Sequence, residues 1–217
     1  MTLKLYYHPL SSFCWKAEIA LYENDTPFEK VVVNLMDEAS RKAFLDVWPI
    51  GQFPVIKDEA RDRLVPESSI IIEYLDQHYP GATRFIPADP DAARQVRLRD
   101  RFFDLHVQVP MQHLVDDRFR AARGADRDPT LVDKMRARIA TALGMVEEEI
   151  GDDWAFGDTF TMVDIAAMPA LFYADIAAGG LGPRTRAYLE RLKARPSVAR
   201  TLQEAAPFLK EFFEVEP

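Results

Sequence analysis

The chain has 217 residues, 48% of them hydrophobic and 29% charged, and a formal net charge of −8. That length holds one large or two small domains with real cores, and the acid excess argues against nucleic acid or an anionic membrane as the main partner, since both demand clustered positive charge. Cys14 is the only cysteine, so an intramolecular disulfide is impossible and a reducing compartment is favoured.

Residues 1–7 carry no signal-peptide pattern, and no apolar run approaches the roughly 20 residues that span a bilayer, so a cytoplasmic, soluble protein is expected. Leu3 to Tyr7 is a β-type run, broken by His8-Pro9-Leu10-Ser11-Ser12. Ser11 or Ser12 caps a helix to Tyr22, with Phe13, Ala17, Ala20 and Leu21 on one face. Phe28 to Asn34, with Val31, Val32 and Val33, is a second strand, and Glu38 to Val47 has helical composition.

Gly51-Gln52-Phe53-Pro54-Val55-Ile56 and Leu64-Val65-Pro66 flank a charged stretch, 57–63, and read as a hairpin. Pro54 stands at the head of its first strand, where a residue without an N–H is tolerated. Pro66-Glu67-Ser68-Ser69 then opens a helix with hydroxyl caps, and a strand that delivers the chain to a helix N-terminus is a ready anion site. Strands alternating with helices, then an adjacent pair of strands, specify an α/β unit with one parallel crossover and one antiparallel hairpin.

Proline and glycine breakers place a linker at 81–90 between domains 1–80 and 91–217. Only helical patterns follow. Ala92 to Ala122 carries Val96, Phe103, Val107, Met111 and Leu114, with a kink or break expected near Gln108–Pro110. Its arginines from Arg94 to Arg101 read as a solvated face. Pro129 opens a helix with Leu131, Met135, Ile139, Ala142, Val146 and Ile150 on one stripe. Thr161-Met162-Val163-Asp164 fits a capping box for a helix ending at Gly179-Gly180. Further helices cover Pro183 to Ala194 and start at Ser197, and Phe208, Leu209, Phe212 and Phe213 suggest a tail that packs.

Four segments carry a resemblance. Tyr6-Tyr7-His8-Pro9-Leu10-Ser11-Ser12-Phe13-Cys14-Trp15-Lys16 resembles the active-site loop of serine-type glutathione transferases, most like the zeta and theta classes. Gly51-Gln52-Phe53-Pro54-Val55 resembles that family's cis-proline segment, Pro66-Glu67-Ser68-Ser69-Ile70 its γ-glutamyl site, and 157–166 its second-domain capping motif. The resemblance implies an α/β thioredoxin-like N-terminal domain plus an all-α C-terminal domain. It also implies glutathione as cosubstrate, a small apolar electrophile as second substrate, and a homodimer. Isomerase or peroxidase chemistry at the same site, or a non-catalytic stress protein that binds glutathione or hydrophobes, are the alternatives.

Glutathione's thiol, with a pKa of about 8.5, is mostly protonated at neutral pH and needs anion stabilisation. Ser11 is the first choice for the hydroxyl that donates to the sulfur, and Ser12 is placed to share the role; Tyr6 and Tyr7 are rivals. By resemblance Gln52, Phe53, Pro54, Glu67 and Ser68 hold the tripeptide: the Phe53 main chain pairs with its backbone, Ser68 takes the γ-glutamyl carboxylate, and Glu67 takes the ammonium. Gln52, Arg41 and Lys42 are candidates for the glycine carboxylate. Leu10, Phe13, Phe103, His106, Val107, Pro110 and Met111 are the expected pocket for the second substrate. Cys14 reads as a packed small hydrophobe, with mixed-disulfide chemistry as the alternative. His8, His78, His106 and His113 lack metal-ligand spacing, and no metal is expected.

Overall fold

The computed structural model describes residues 2–122, 124 and 126–214. Strand β1 (Leu3–Tyr7) leads into helix α1 (Ser12–Glu23), which crosses back to β2 (Phe28–Val32). The connection makes β1 and β2 parallel, with Leu3 opposite Phe28 and Tyr7 opposite Val32. Helix α2 (Glu38–Val47) follows, then the hairpin β3 (Val55–Asp58) and β4 (Arg63–Pro66), then α3 (Ser68–His78). The sheet order is β2-β1-β3-β4, with β3 antiparallel to both of its neighbours. This is the expected thioredoxin-like arrangement.

The two faces of the sheet are covered unequally. On one face α2 contributes only Phe44 to a small cluster with Val33 and Val55. On the other lies α1, buried along nearly its whole length from Ser12 to Leu21 because it also packs against α3 and two helices of the second half. A helix between two layers is buried on every side, and the two charged residues in its buried run, Lys16 and Glu18, are both ion-paired.

Beyond residue 90 the described elements are helical: α4 (Pro90–Phe102), a π-helical turn (Phe103–Gln108), α5 (Val109–Ala122), α6 (Pro129–Glu149), α7 (Met162–Ala177), α8 (Pro183–Lys193) and α9 (Pro196–Glu214). The capping box at α7 is formed in full. Asp164, fully buried, accepts from the Thr161 and Ala155 N–H groups at 2.8 Å each and from the Tyr188 hydroxyl at 2.6 Å.

Three expectations are refined or corrected. The interruption expected in the helix at 92–122 near Gln108–Pro110 takes the form of a π turn over Phe103–Gln108. Pro110 has no N–H to give the His106 carbonyl, and the chain absorbs this as a π turn in which the Val109 N–H bonds to the Asp104 carbonyl, five residues back. Helix α3 has no hydroxyl cap. Glu67 holds the cap position at a φ of 69° with no side-chain cap bond, and Ser69 donates to Asp100 at 2.7 Å instead. The arginine-rich face is solvated at Arg94 and Arg97 but turns inward at Asp100, which is buried. In the tail, Leu209 packs against the core while Phe208 is exposed; the Phe212 and Phe213 side chains lie outside those described. No helix among the described residues is long and apolar enough to cross a membrane.

Candidate active site

Three loops meet at one end of the sheet. Tyr6 pairs with Val55, and Val55 pairs with Pro66. So the segment after β1 (8–12), the residues before β3 (Phe53-Pro54) and those after β4 (Glu67-Ser68) emerge side by side. Each delivers something to an anionic or extended ligand. The first loop opens α1, the third opens α3, and the Phe53–Pro54 peptide bond is cis. Helix starts present unpaired N–H groups and the positive end of the helix dipole.

The first loop is held by side chains from elsewhere. Trp15 Nε1 donates to the Pro9 carbonyl at 2.7 Å, and the Tyr173 hydroxyl, from α7, donates to the Leu10 carbonyl at 2.7 Å. The His8 ring stacks on Phe53 with centroids 5.9 Å apart, and its Nδ1 accepts the Leu10 N–H. Burial lowers the His8 pKa below its ordinary value, so the ring is neutral at neutral pH. Ser11 is the N-cap of α1: its Oγ accepts the Cys14 N–H at 3.3 Å. That bond uses an oxygen lone pair and fixes the oxygen, leaving the hydroxyl proton to be donated.

A cavity of about 440 Å³ opens beside this loop. Leu10, Ser11, Ser12 and Phe53 form the wall from the first half of the chain; Gln108, Met111, Gln112, Val115 and Phe119 form the opposite wall, with Tyr173 at the back and Asp116 at the exposed rim. A concavity of about 540 Å³ between α3 and α4 contains none of the expected site residues.

Of the residues expected for the second-substrate pocket, Leu10 and Met111 line this cavity and the others do not. Phe103 and Val107 are core residues, and Pro110 is buried. His106 contacts Phe102 and Arg138 and belongs to a different groove, between α4 and α6. Phe13 is half-buried but forms no part of the wall. Phe103, Val107, Met111 and Leu114 form the buried stripe, while Gln108, Gln112, Val115 and Phe119, one position further round, line the cavity. The signal was the run of residues spaced by three and four one face over from the apolar stripe.

Gln52, Arg41 and Lys42 are exposed, Pro54 is buried, Glu67 is exposed and Ser68 is buried. Tyr6 stacks on Phe44 on the far face of the sheet, and Tyr7 lies under the Lys30 ammonium at 4.9 Å, so neither lines the cavity. Cys14 has no exposed surface, and burial pushes its thiol up to about 12, which removes the thiolate that mixed-disulfide exchange requires.

Behind the site lies a buried ionic cluster. The Lys16 ammonium, 1% exposed, contacts Asp100 Oδ1 at 2.8 Å, both Asp104 oxygens at 2.7–2.8 Å and Ser69 Oγ at 3.0 Å. Arg101 closes the cluster on Asp100 and Asp104. It ties α1 to α3 and to the π turn. Burial pushes the Asp104 carboxyl up, against the pull of Lys16.

A two-layer α/β unit with a cis-proline segment, joined to a helical bundle around a cleft at two helix starts, is the architecture of thiol-peptide transferases. Residues 5–83 match the family model for the glutathione S-transferase N-terminal domain and residues 129–214 that for the C-terminal domain. Together the matches span most of the chain, which belongs to the glutathione S-transferase family. Glutathione S-transferase F13 of Arabidopsis thaliana is 26% identical over 206 residues, 91% of this chain and 93% of the relative. The stringent starvation protein A homolog of Haemophilus influenzae is 25% identical over 199 residues, 90% of this chain and 87% of the relative. A glutathione S-transferase from Methylobacterium radiotolerans, solved in complex with glutathione sulfonate, aligns with a TM-score of 0.79 at 28% identity, covering 93% of this chain and 94% of that one.

Proposed function

We propose that this protein is a cytoplasmic glutathione transferase of the serine type, which ionises the glutathione thiol and directs its sulfur at a small apolar electrophile. The observation that carries this reading is the convergence of Ser11, the cis Phe53–Pro54 segment and the start of α3 at one end of the sheet, beside a cavity with a largely apolar wall. Glutathione sulfonate bound to a relative at 28% identity supports the ligand.

In this reading the Phe53 main chain, turned outward before Pro54, pairs with the backbone of the tripeptide. The γ-glutamyl carboxylate meets the buried Ser68 at the start of α3. Glu67, held at a left-handed φ, accepts from the γ-glutamyl ammonium; non-glycine residues in such conformations cluster at binding sites. The sulfur then lies at the start of α1. Lowering a thiol pKa by about two units takes roughly 2.7 kcal/mol of preferential interaction with the anion. The Ser11 hydroxyl donates a charge-assisted bond, and the α1 N-terminus adds its field. In a displacement, a sulfur lone pair forms the bond to carbon, the leaving group departs with its electron pair, and the thiol proton goes to solvent.

Retention on immobilised glutathione together with turnover of a chloro-nitro-aromatic is the expected result. Retention without turnover across a panel of electrophiles would favour a binding protein, the reading that the starvation-protein relative supports. Neither retention nor turnover would remove both. We also propose a homodimer, supported by exposed Leu98, Leu105 and Met145 around the groove between α4 and α6. Light scattering should give twice the 24.8 kDa chain mass; the mass of a single chain would refute the dimer.

A further inference from the structure

His8 presents an unused proton beside the start of α1. Its half-buried ring lines the same cavity as Ser11. The Leu10 N–H donates to His8 Nδ1 at 3.2 Å, so that nitrogen carries no proton. Burial keeps the ring neutral at neutral pH, and a neutral imidazole has one N–H, which therefore sits on Nε2. Nε2 has no hydrogen-bond partner among the described residues, and it is accessible: the buried side-chain nitrogens and oxygens left unpaired there are both on Gln108. The donor is also held in place. Its ring stacks on Phe53 with 17° between the planes, and the Pro9 and Leu10 carbonyls that follow it are fixed by Trp15 and Tyr173.

Where the ring stands says what it meets. His8 and Ser11 are the two ends of one turn, closed by the Ser11 N–H on the His8 carbonyl at 2.9 Å. Phe53, which the ring stacks on, is the residue whose main chain takes the backbone of the tripeptide in the reading above. A cysteinyl side chain running from Phe53 toward Ser11 therefore passes the imidazole. No Lys or Arg lines the cavity, the Tyr173 proton is spent on Leu10, and the Gln108 amide atoms are buried. On this side of the cavity an anion draws on the serine hydroxyls, the N–H groups of the helix start and this imidazole.

We infer that His8 is a second catalytic donor: its Nε2–H bonds to the glutathione sulfur and, with the Ser11 hydroxyl, holds it as the thiolate. The inference rests on the glutathione reading above and adds a residue to it. His8 is not the base. Nδ1 is occupied by the Leu10 N–H and Nε2 already carries its proton, so the thiol proton still leaves to solvent. A neutral donor gains strength when the sulfur ionises, because a hydrogen bond to a charged acceptor is roughly twice as strong as one between neutral groups. Fixed before the ligand arrives, it needs no reorganisation to meet the anion.

The two ring nitrogens can be tested apart. In His8→Asn the side-chain oxygen still accepts the N–H two residues on, as asparagine does in turns, but no donor reaches the place of Nε2. In His8→Gln the longer side chain carries an amide N–H to that place and gives up the turn. Ultraviolet thiolate absorbance of the glutathione complex is titrated against pH in both. The expected result for His8→Asn is a thiol pKa raised by about one unit and turnover at neutral pH lowered about 10-fold, the size of one lost bond to an anion. Affinity for S-methylglutathione, which has no thiolate, should be unchanged. His8→Gln should lie closer to wild type. A merely structural His8 gives the opposite order, since asparagine repairs the turn and glutamine does not. An unshifted titration in His8→Asn, a His8→Gln no closer to wild type, or equal weakening for glutathione and S-methylglutathione would each overturn the assignment; if His8→Gln fails to fold, His8→Asn alone decides. Calorimetric titration of the wild type with glutathione separates the two levels. Absence of binding defeats the parent reading, and this inference with it; binding, with a thiolate titration that moves in Ser11→Ala but not in His8→Asn, defeats the inference alone.

Discussion

Replacing Ser11 by alanine should raise the apparent pKa of the bound glutathione thiol by about 1–2 units, the equivalent of a charge-assisted hydrogen bond of roughly 1.5–3 kcal/mol. At neutral pH this lowers turnover by about 10- to 100-fold, since only the thiolate attacks. The sign follows from the anion: removing a donor disfavours the ionised form, so the loss is largest below the raised pKa and shrinks as pH climbs past it. Ultraviolet thiolate absorbance of the binary complex, titrated against pH, reads the shift directly.

Ser11 also caps α1 through the Cys14 N–H, so alanine costs stability too, by about 0.5–2 kcal/mol. Two further variants separate the roles. Ser11→Thr keeps both cap and donor and should keep most of the activity. Ser11→Asp keeps a cap but brings a carboxylate to the sulfur. It should restore the melting temperature while leaving the thiol at least as basic as in the alanine variant. Ser12, buried on the same wall, should give the smaller loss as alanine. A Ser11→Ala protein with wild-type rate and an unshifted thiolate titration would take Ser11 out of the mechanism.

How far such residues were readable depends on whether the signal is local. Period-two and period-3.6 patterns, with caps at Ser11 and Thr161, mark helices and strands because their causes lie within a few residues. The α/β order followed from strand-helix alternation, and the cis Phe53–Pro54 bond from a resemblance carried by five adjacent residues. The cavity wall on the second half was not readable in that way. A π turn spans 103–108 just before Pro110, and Lys16, over 80 positions away in sequence, bonds to Asp100 and Asp104 beside it. Tyr173 reaches the Leu10 carbonyl from 163 residues away. No periodicity announces such pairings. Lys16 and Glu18 inside the buried run of α1 are the visible anomalies, since Lys and Glu are almost never fully buried unless paired.

That lysine gives the second large effect. Lys16→Met should destabilise the protein by about 3–5 kcal/mol, the range for leaving a buried ionic partner uncompensated, against a total stability of about 5–15 kcal/mol for a typical native protein. Two carboxylates, Asp100 and Asp104, would remain within the layer between α1 and α4, with only the half-exposed Arg101 as counter-charge. Without the ammonium the Asp104 carboxyl, already raised by burial, loses the charge that holds it down and shifts further toward the protonated form on folding. A carboxyl with a raised folded-state pKa stabilises below its unfolded value and loses that contribution as pH rises through the folded one. The deficit of the variant relative to wild type should therefore be smaller at pH 5 than at pH 8 in urea unfolding. Adding Asp104→Asn to Lys16→Met should recover much of it, because the penalty belongs to the orphaned charge rather than to the absent lysine. A loss under about 1 kcal/mol, as for an exposed pair, or one independent of pH, would show that the cluster does not behave as a buried ionic unit. The same variant should disturb the wall of the cavity. Asp104 supplies both the carboxylate that Lys16 clamps and the carbonyl that closes the π turn on Val109, and Gln108 is the residue just before. Stability of the interface between sheet and bundle and the position of one cavity wall thus depend on one ammonium.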